Sequence, residues 1–283
     1  MKAKLVANSY GKTDVRLTKV VRNGKKHSLA EYSVKVHLTG DFIPSYTDGD
    51  NRKVIATDTI KNTVYVVAKE NKFDSAEDFA ILLANHFPNQ YKQVKSATVE
   101  ITEARWKRIK VKGKPHEHSF VNGGSELHTC VVSVAKKGKT PHVVGGVTNL
   151  HVIKTTNSAW KDFYTDRYRT LKDTSDRILG TSVTATWEYG KAKVNFAKCT
   201  ETIRNALLES FAVHNSLGAQ HTMYDMGKAA LAAVPEIKSI YLRLPNKHRI
   251  PFNLDPFGLK FEGDIFVWTD EPYGDITALI ERD

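Results

Sequence analysis

Four short polar clusters are where this chain could do chemistry. Asn8-Ser9-Tyr10-Gly11-Lys12 places a lysine just ahead of an alternating, strand-like run. Thr57-Asp58 opens a helical pattern, where free N–H groups and the helix dipole favour an anion. Arg177 closes the polar stretch Leu171-Lys172-Asp173-Thr174-Ser175-Asp176-Arg177. Leu244-Pro245-Asn246-Lys247-His248 ends a strand with polar groups, His248 among them. Each cluster also has an ordinary structural reading: a solvated lysine, an N-cap, a salt bridge and a strand end.

Other chemistries are poorly supported. There is no GxGxxG after a strand and no GxxxxGK[ST], so no nucleotide cofactor is signalled. Among eleven histidines, His116-Glu117-His118 would put two imidazoles on one face of a strand. It falls in the Gly-, His- and Lys-rich segment Lys112 to Gly124, read as a loop, without an HExxH or cysteine partner, so no metal is expected. Cys130 and Cys199 are far apart and read as buried, reduced thiols. The net charge of +11 suits either nucleic acid or a small anionic substrate. The basic residues are scattered: Lys107 to Lys112 alternates like the wet face of a strand, and Lys136-Lys137-Gly138-Lys139 reads as a hairpin turn. Without an aromatic-basic stacking surface, no nucleic-acid partner is expected. No apolar run approaches the roughly 20 residues of a membrane span, so no membrane association is expected.

These clusters need elements to position them. Ala3 to Phe42 reads as two strands, the first carried by Val15, Leu17 and Val20, joined at Asn23-Gly24. Ile60, Val64, Val67 and Ala68 repeat at helical spacing. A second helix starts at about Ser75, carries Phe79, Leu82, Leu83 and Phe87 on one face, and should stop at Pro88. Strands at Val94 to Ile109 and Leu127 to Val134 complete a ββααββ order. The second half repeats it: strands at Val143 to Ile153 and Val183 to Phe196, helices at Cys199 to His214 and Ala219 to Ala233. Strands follow at Ile237 to Leu244 and Asp264 to Thr269, with a short closing helix in Pro272 to Arg282. Val94 to Ile101 and Ile237 to Leu244 echo one another after the second helix of each half. The expected fold is α+β with antiparallel sheets, divided into repeats at 1–140 and 141–283. Open sheet edges then predict an obligate oligomer.

Taken together, the clusters resemble the urate oxidase family. The matching strings are Tyr10-Gly11-Lys12 with Val15-Arg16, Ala56 to Tyr65, Asp166 with Tyr168, Thr170-Leu171-Lys172 and Asp176-Arg177-Ile178-Leu179. Gln220 with Thr222-Met223-Tyr224 and Leu244 to His248 complete the series. The resemblance implies the tunnelling fold (T-fold), whose sheets close into a barrel between subunits, and a homotetramer of two stacked barrel dimers. It implies oxidation of urate by O2 and water to 5-hydroxyisourate and hydrogen peroxide, with no cofactor.

It also implies roles. Arg177 and Gln220 grip the flat edge of urate, and the backbone N–H groups of Asp58 and Ala219 complete the in-plane contacts. Leu171 covers part of the ring. Lys12 and Thr57 handle protons, with Lys12 a base once burial or nearby cations favour its neutral form. Asn246 and Thr57 flank the oxygen position, and His248 relays protons through Lys12. Lys12, Thr57 and Asp58 would come from one subunit and the remaining groups from its neighbour.

Two positions depart from the family. Its ring-stacking phenylalanine falls here on Trp160, with Phe163 as the alternative, and Ala219 replaces a bulkier aliphatic residue. The competing readings are a zinc-dependent pterin or purine enzyme of the same fold and a basic protein that binds polyanions. Glu281-Arg282-Asp283 is not a peroxisomal tripeptide, so a cytoplasmic location is expected.

Overall fold

The structure is a computed structural model describing residues 3–135, 138–191 and 193–283. It divides into two compact units, Met1–Gly146 with Glu188–Cys199, and Val147–Trp187 with Thr200–Asp283.

In the first unit, β1 (Tyr10–Asn23) and β2 (Lys26–Gly40) form the expected hairpin, with Asn23 opposite Lys26. A short helix α1 (Ile43–Thr47) precedes α2 (Thr57–Glu70) and α3 (Ala76–Gln90), and β3 (Val94–Val111) and β4 (Lys114–Val134) follow. The strand order is β1-β2-β3-β4, with antiparallel pairing throughout. Alternation builds the core, because every second side chain points to the same face. Val34, Ile101 and Cys130 stand opposite one another across three strands, as do Val36, Val99 and Val132. All six are buried. Ile60 and Val64 of α2 and Phe79, Leu83 and Phe87 of α3 are buried too. Burying each such side chain contributes about 1.5–3 kcal/mol.

Three expectations for this unit need correction. The inward residues of β1 are Val15, Leu17 and Lys19, while Val20 is exposed. Pro88 does not stop α3, which runs on to Gln90. Near the helix end a proline forfeits little beyond its own hydrogen bond, and this one is buried in the core. The segment Lys112 to Gly124 is not a loop. Only Lys112 and Gly113, at φ 50° and 80°, form the turn, and both values suit a tight hairpin. His116 and His118 therefore lie on β4, their rings 4.5 Å apart. Of the expected turn at Lys136-Lys137-Gly138-Lys139, Lys136 and Lys137 lie outside the described residues.

The second unit contains most of β5 (His142–Lys154) and β6 (Leu179–Tyr189), then most of α4 (Phe196–Val213), α5 (Ala219–Ala233) and β7 (Ile237–Arg243). A small hairpin follows, β8 (His248–Pro251) with β9 (Phe266–Thr269), and β10 (Thr277–Glu281) ends the unit. The strand order is β5-β6-β7-β10. The closing helix expected in Pro272 to Arg282 is instead β10, which places Ile280 opposite Ile240 and Leu279 opposite Tyr241. Alternation in Thr-Ala-Leu-Ile-Glu fits a half-buried edge strand better than one helical turn. The strand expected to reach Phe196 ends at Tyr189, and Phe196 instead starts α4.

The two halves follow one plan. A constant offset of 143 residues aligns Ala76 with Ala219 at the start of the second helix, and Val94 with Ile237 at the start of the next strand. The buried positions coincide as well: Phe79, Leu83 and Phe87 match Thr222, Met226 and Ala230. Even the end of the first helix is tied down in the same way. Lys19 Nζ donates to the Ala68 and Asn71 carbonyls at 2.6 and 2.7 Å. Lys154 Nζ donates to those of Phe211 and His214, the residues 143 places later. A cation at a helix C-terminus satisfies carbonyls that the helix leaves open.

Candidate active site

Lys12, Thr57 and Asp58 meet where β1 passes the start of α2. A bulge between Lys12 and Val15 breaks the register of β1 with β2, and Asp14 within it has φ 54°. Asp tolerates this left-handed conformation better than most residues. Its carboxylate Oδ1 accepts from Ser33 Oγ at 3.3 Å. Such a bulge re-aims neighbouring side chains, here the half-buried Lys12. The helix is held against this strand at both ends. The Ile55 N–H donates to Tyr10 Oη at 2.8 Å before α2 begins, and Lys19 caps its far end.

Thr57 is not an N-cap, as one reading had it. Ala56 holds the cap position and has no side chain to offer, so the first N–H groups of α2 remain open. Thr57 and Asp58 are both exposed. The Asp58 carboxylate turns onto its own helix, toward Lys61 and Asn62 Nδ2. Its pKa lies below the ordinary value, mainly through the hydrogen bond and charge of Lys61, with lesser shares from Asn62 and Lys12. The Asp58 side chain is thus occupied by groups of its own helix, at a helix start with no side-chain cap.

In the second unit, Trp160, Arg177 and the start of α5 come together. The backbone of Trp160 exchanges two hydrogen bonds with Thr174, at 2.8 and 2.9 Å. The Arg177 N–H donates to the Ser158 carbonyl at 2.7 Å, and the Asp176 carboxylate accepts from Ser158 N at 3.1 Å and Thr156 Oγ1 at 2.6 Å. The Ala159 N–H donates to the Ser216 carbonyl at 2.7 Å, joining this segment to the corner before α5. Gly218 begins that helix because Trp160 leaves no room for a side chain. A Cβ there would sit 2.9 Å from Trp160 Cζ3.

Arg177 lies with its Cζ 5.7 Å from the centre of the Trp160 ring. It is half-buried, and its Nε is buried without a hydrogen-bond partner. Burial alone lowers its pKa, so the charge sits in an unfavourable place. Ala219 is buried and Gln220 exposed at the first turn of α5, and Gly218 supplies no side-chain cap. Phe163 stacks on Trp160 at 5.4 Å and 16°, and Arg169 lies 4.1 Å over the Phe163 ring. Trp160 is therefore the aromatic next to Arg177 and Gly218. Leu171 is exposed, its carbonyl accepting from Arg169 Nε at 3.1 Å.

Asn246 and His248 lie where β7 gives way to β8. The Asn246 N–H donates to the Gly274 carbonyl at 2.9 Å, and Asn246 bridges Thr181 at the start of β6. Thr181 Oγ1 donates to the Pro245 carbonyl at 2.8 Å. Arg177 lies two residues before the start of β6, so both groups emerge at the same end of this sheet. His248 is half-buried and stands opposite Thr269 on β9.

Three clefts lie elsewhere. One of about 500 Å³ is lined by Phe73, Ile81 and Pro141, one of about 480 Å³ by Arg16 and Tyr32, and one of about 160 Å³ by Gly180, Lys247 and Trp268. None of the three includes Lys12, Thr57, Trp160, Arg177 or Gln220. Sequence reasoning missed the supporting groups, namely Tyr10, the Asp14 bulge, Asp176 and the Ser158–Ser216 bridge. Tyr10 and Asp176 stood inside the matched strings, but their hydrogen-bond partners are remote in sequence.

Helix capping separates these corners from the starts of α3 and α4. Ser75 Oγ accepts from Asp78 N at 3.0 Å and caps α3, and Asn195 Oδ1 accepts from Lys198 N at 2.9 Å and caps α4. The helices that begin at the candidate residues, α2 and α5, have no side-chain cap. Within the second unit, an open helix start, a cationic fork and a flat ring would suit a planar anion.

The uricase family profile matches residues 8–133 and 143–277. A uricase of Arthrobacter globiformis is 40% identical over 282 residues, covering 100% of this chain and 91% of that protein. A uricase of Dictyostelium discoideum is 37% identical, covering 99% and 98%. The crystal structure of the Arthrobacter globiformis uricase superposes with a TM-score of 0.94 at 40% identity, covering 100% of this chain and 96% of that one. A uricase from Bacillus fastidious shares the fold at 22% identity, with a TM-score of 0.84. The α+β architecture described above is accordingly the T-fold, and this chain belongs to the uricase family.

Proposed function

We propose that this protein is a urate oxidase, acting on urate and O2, and that its pocket is assembled from two subunits. The observation that carries the reading is Arg177, a half-buried guanidinium with an unpartnered Nε beside the Trp160 ring and the uncapped start of α5. On this reading Trp160 stacks on urate, Arg177 and Gln220 bind its edge, and the Asp58 and Ala219 N–H groups complete the in-plane grip. Leu171 closes over part of the ring.

Ground-state O2 is a triplet and reacts slowly with paired-electron molecules. A deprotonated, electron-rich urate can supply the electrons itself, so no metal or organic cofactor is needed. The protein binds the anion, takes its proton and holds O2 over the ring. Lys12 with Thr57 takes the proton, and His248 relays it. Asn246 and Thr57 hold O2 and then water. Two electrons pass from urate to O2, giving hydrogen peroxide, and water adds to the oxidised ring to give 5-hydroxyisourate.

Within the reading, the repeats divide near 140, the sheets close into a barrel between subunits, and two barrels stack into a homotetramer. Lys12, Thr57 and Asp58 belong to one unit, and Trp160, Arg177, Gln220, Asn246 and His248 to the other. Each pocket would draw these halves from neighbouring subunits. The setting would be cytoplasmic, which the buried cysteines Cys130 and Cys199, neither in a disulfide, support.

The purified protein should consume urate and O2, release peroxide and keep its activity after dialysis against a chelator. Activity abolished by chelation and restored by zinc would overturn the cofactor-free reading. Complementation tests the shared pocket. Thr57→Ala and Arg177→Ala variants are unfolded and refolded together. A mixed dimer then has one pocket with both lesions and one with neither, so about a quarter of all pockets regain activity. Mixed dimers verified by mass and still inactive would place the site within one chain.

A further inference from the structure

The corner between α4 and α5 gathers a second set of functional side chains. His214 follows the last turn of α4, its N–H still donating to the Ser210 carbonyl at 3.1 Å. His221 and Asp225 lie on α5, four residues and about one turn apart, and so share a face. His214 Nδ1 is 2.7 Å from Asp225 Oδ2, and the two imidazole rings are 4.4 Å apart at 74°. One nitrogen or oxygen from each of the three residues lies within 4.8 Å of the others. The His214 side chain is 10% exposed, and its Nε2 is buried without a hydrogen-bond partner.

The geometry points to a binding site for a divalent transition-metal ion of the zinc class, held by His214, His221 and Asp225. Two imidazoles and a carboxylate form a borderline donor set, suited to zinc, cobalt or nickel and poor for magnesium or calcium. A tetrahedral ion with bonds of about 2.0–2.2 Å would take these three groups and leave one position to water. The ion would replace the proton shared by His214 and Asp225. The exposed His221 has only to turn inward to complete the set.

The fold does not require these residues. At the corresponding corner of the first unit, the same offset of 143 places Asn71, Asp78 and Leu82. That corner keeps the strand lysine on the helix carbonyls without a histidine. Lys154, which binds the His214 carbonyl, and the positive end of α5 both oppose a cation, so a moderate affinity is expected. The site needs no urate and does not depend on the reading of the active site.

The test is calorimetric titration of the assembled, chelator-treated protein with zinc in a buffer that does not bind metal. The wild type should take up one saturable zinc per chain, with a rise in Tm. His221→Ala and Asp225→Asn should each lose that equivalent and the rise in Tm. His116→Ala should keep both. His221 is exposed, so its substitution should leave the fold intact, which circular dichroism would verify. A wild type without a saturable equivalent, or a His221→Ala variant that retains it, would overturn the assignment.

Discussion

Replacing Arg177 should separate binding from stability. In the unliganded chain this guanidinium is half-buried, its Nε is unpartnered, and burial holds its pKa down. A cation whose pKa is lowered on folding makes the charged form a cost to the folded state. Arg177→Met keeps the stem against Trp160 and removes that charge, so the unliganded variant should melt at or above the wild-type Tm. Binding should change in the opposite direction. Truncating one partner of a buried, hydrogen-bonded charge pair costs about 2–5 kcal/mol. At about 1.4 kcal/mol per tenfold, that weakens affinity by roughly 30- to several-thousand-fold. Arg177→Lys keeps a charge but loses the fork, and should fall between wild type and Arg177→Met. Calorimetric titration with a non-reacting purine analogue, beside thermal melts of the same samples, measures both quantities. A clear fall in the unliganded Tm would mean that Arg177 is a structural ion and the argument from its unpartnered Nε is wrong. Unchanged affinity would remove Arg177 from the site.

Two further outcomes are expected. Lys12→Met and Thr57→Ala should each lower kcat much more than they raise KM, and the double variant should be little worse than either single one, because they act on one proton; additive losses would show independent roles. His128 carries a pH dependence of stability. Burial lowers its pKa, but hydrogen bonds and charge from Glu103 and Glu77, both at 3.0 Å, outweigh that and push it up to about 9, from an ordinary 6.5. A pKa raised on folding gives stability that is complete below about 6.5 and lost as pH rises through about 9, about 3 kcal/mol in all. The wild-type Tm should therefore fall across that window more steeply than that of His128→Gln, and parallel curves would refute the role of the cluster.

The sequence was most readable where one period rules a segment. Tyr32, Val34, Val36 and Leu38 alternate and are buried, and the span Ala219 to Ala233 is the helix α5. It was least readable where two periods compete or a partner is distant. The last residues hold one short apolar run, and only pairing with β7 makes them a strand. Lys112 to Gly124 has the composition of a loop, but its backbone is claimed by the extended β3–β4 hairpin. Glu77 and His128 gave no local sign of meeting, because 51 residues separate them. The candidate residues were legible through the matched strings. Their fastening by Tyr10, Asp176 and the Ser158–Ser216 bridge was not.

The repeated plan also bears on why one chain would supply two unlike halves of a pocket. With the offset of 143, Thr57 corresponds to Thr200 and Gln220 to Glu77. Both counterparts are buried, Thr200 at 5% exposure and Glu77 at 0%. Thr200 is covered because α4 starts at Phe196, a turn earlier than its counterpart, and Asn195 caps that earlier start. Glu77 turns inward to His128 behind the Ser75 cap of α3. Of the paired long helices in each half, one start is therefore capped and the other open, α2 in the first half and α5 in the second. An open start offers unpaired N–H groups to an anion, and a capped start does not. Because the open starts are not equivalent, neither half repeats the other's contribution, and the proposed shared pocket would need one of each. Restoring a cap tests this directly. Ala56→Ser should stabilise α2 by up to about 1 kcal/mol and weaken urate binding, as its side chain takes N–H groups the substrate would use. A variant that gains stability without any loss of affinity would show that the open start of α2 plays no part in the grip.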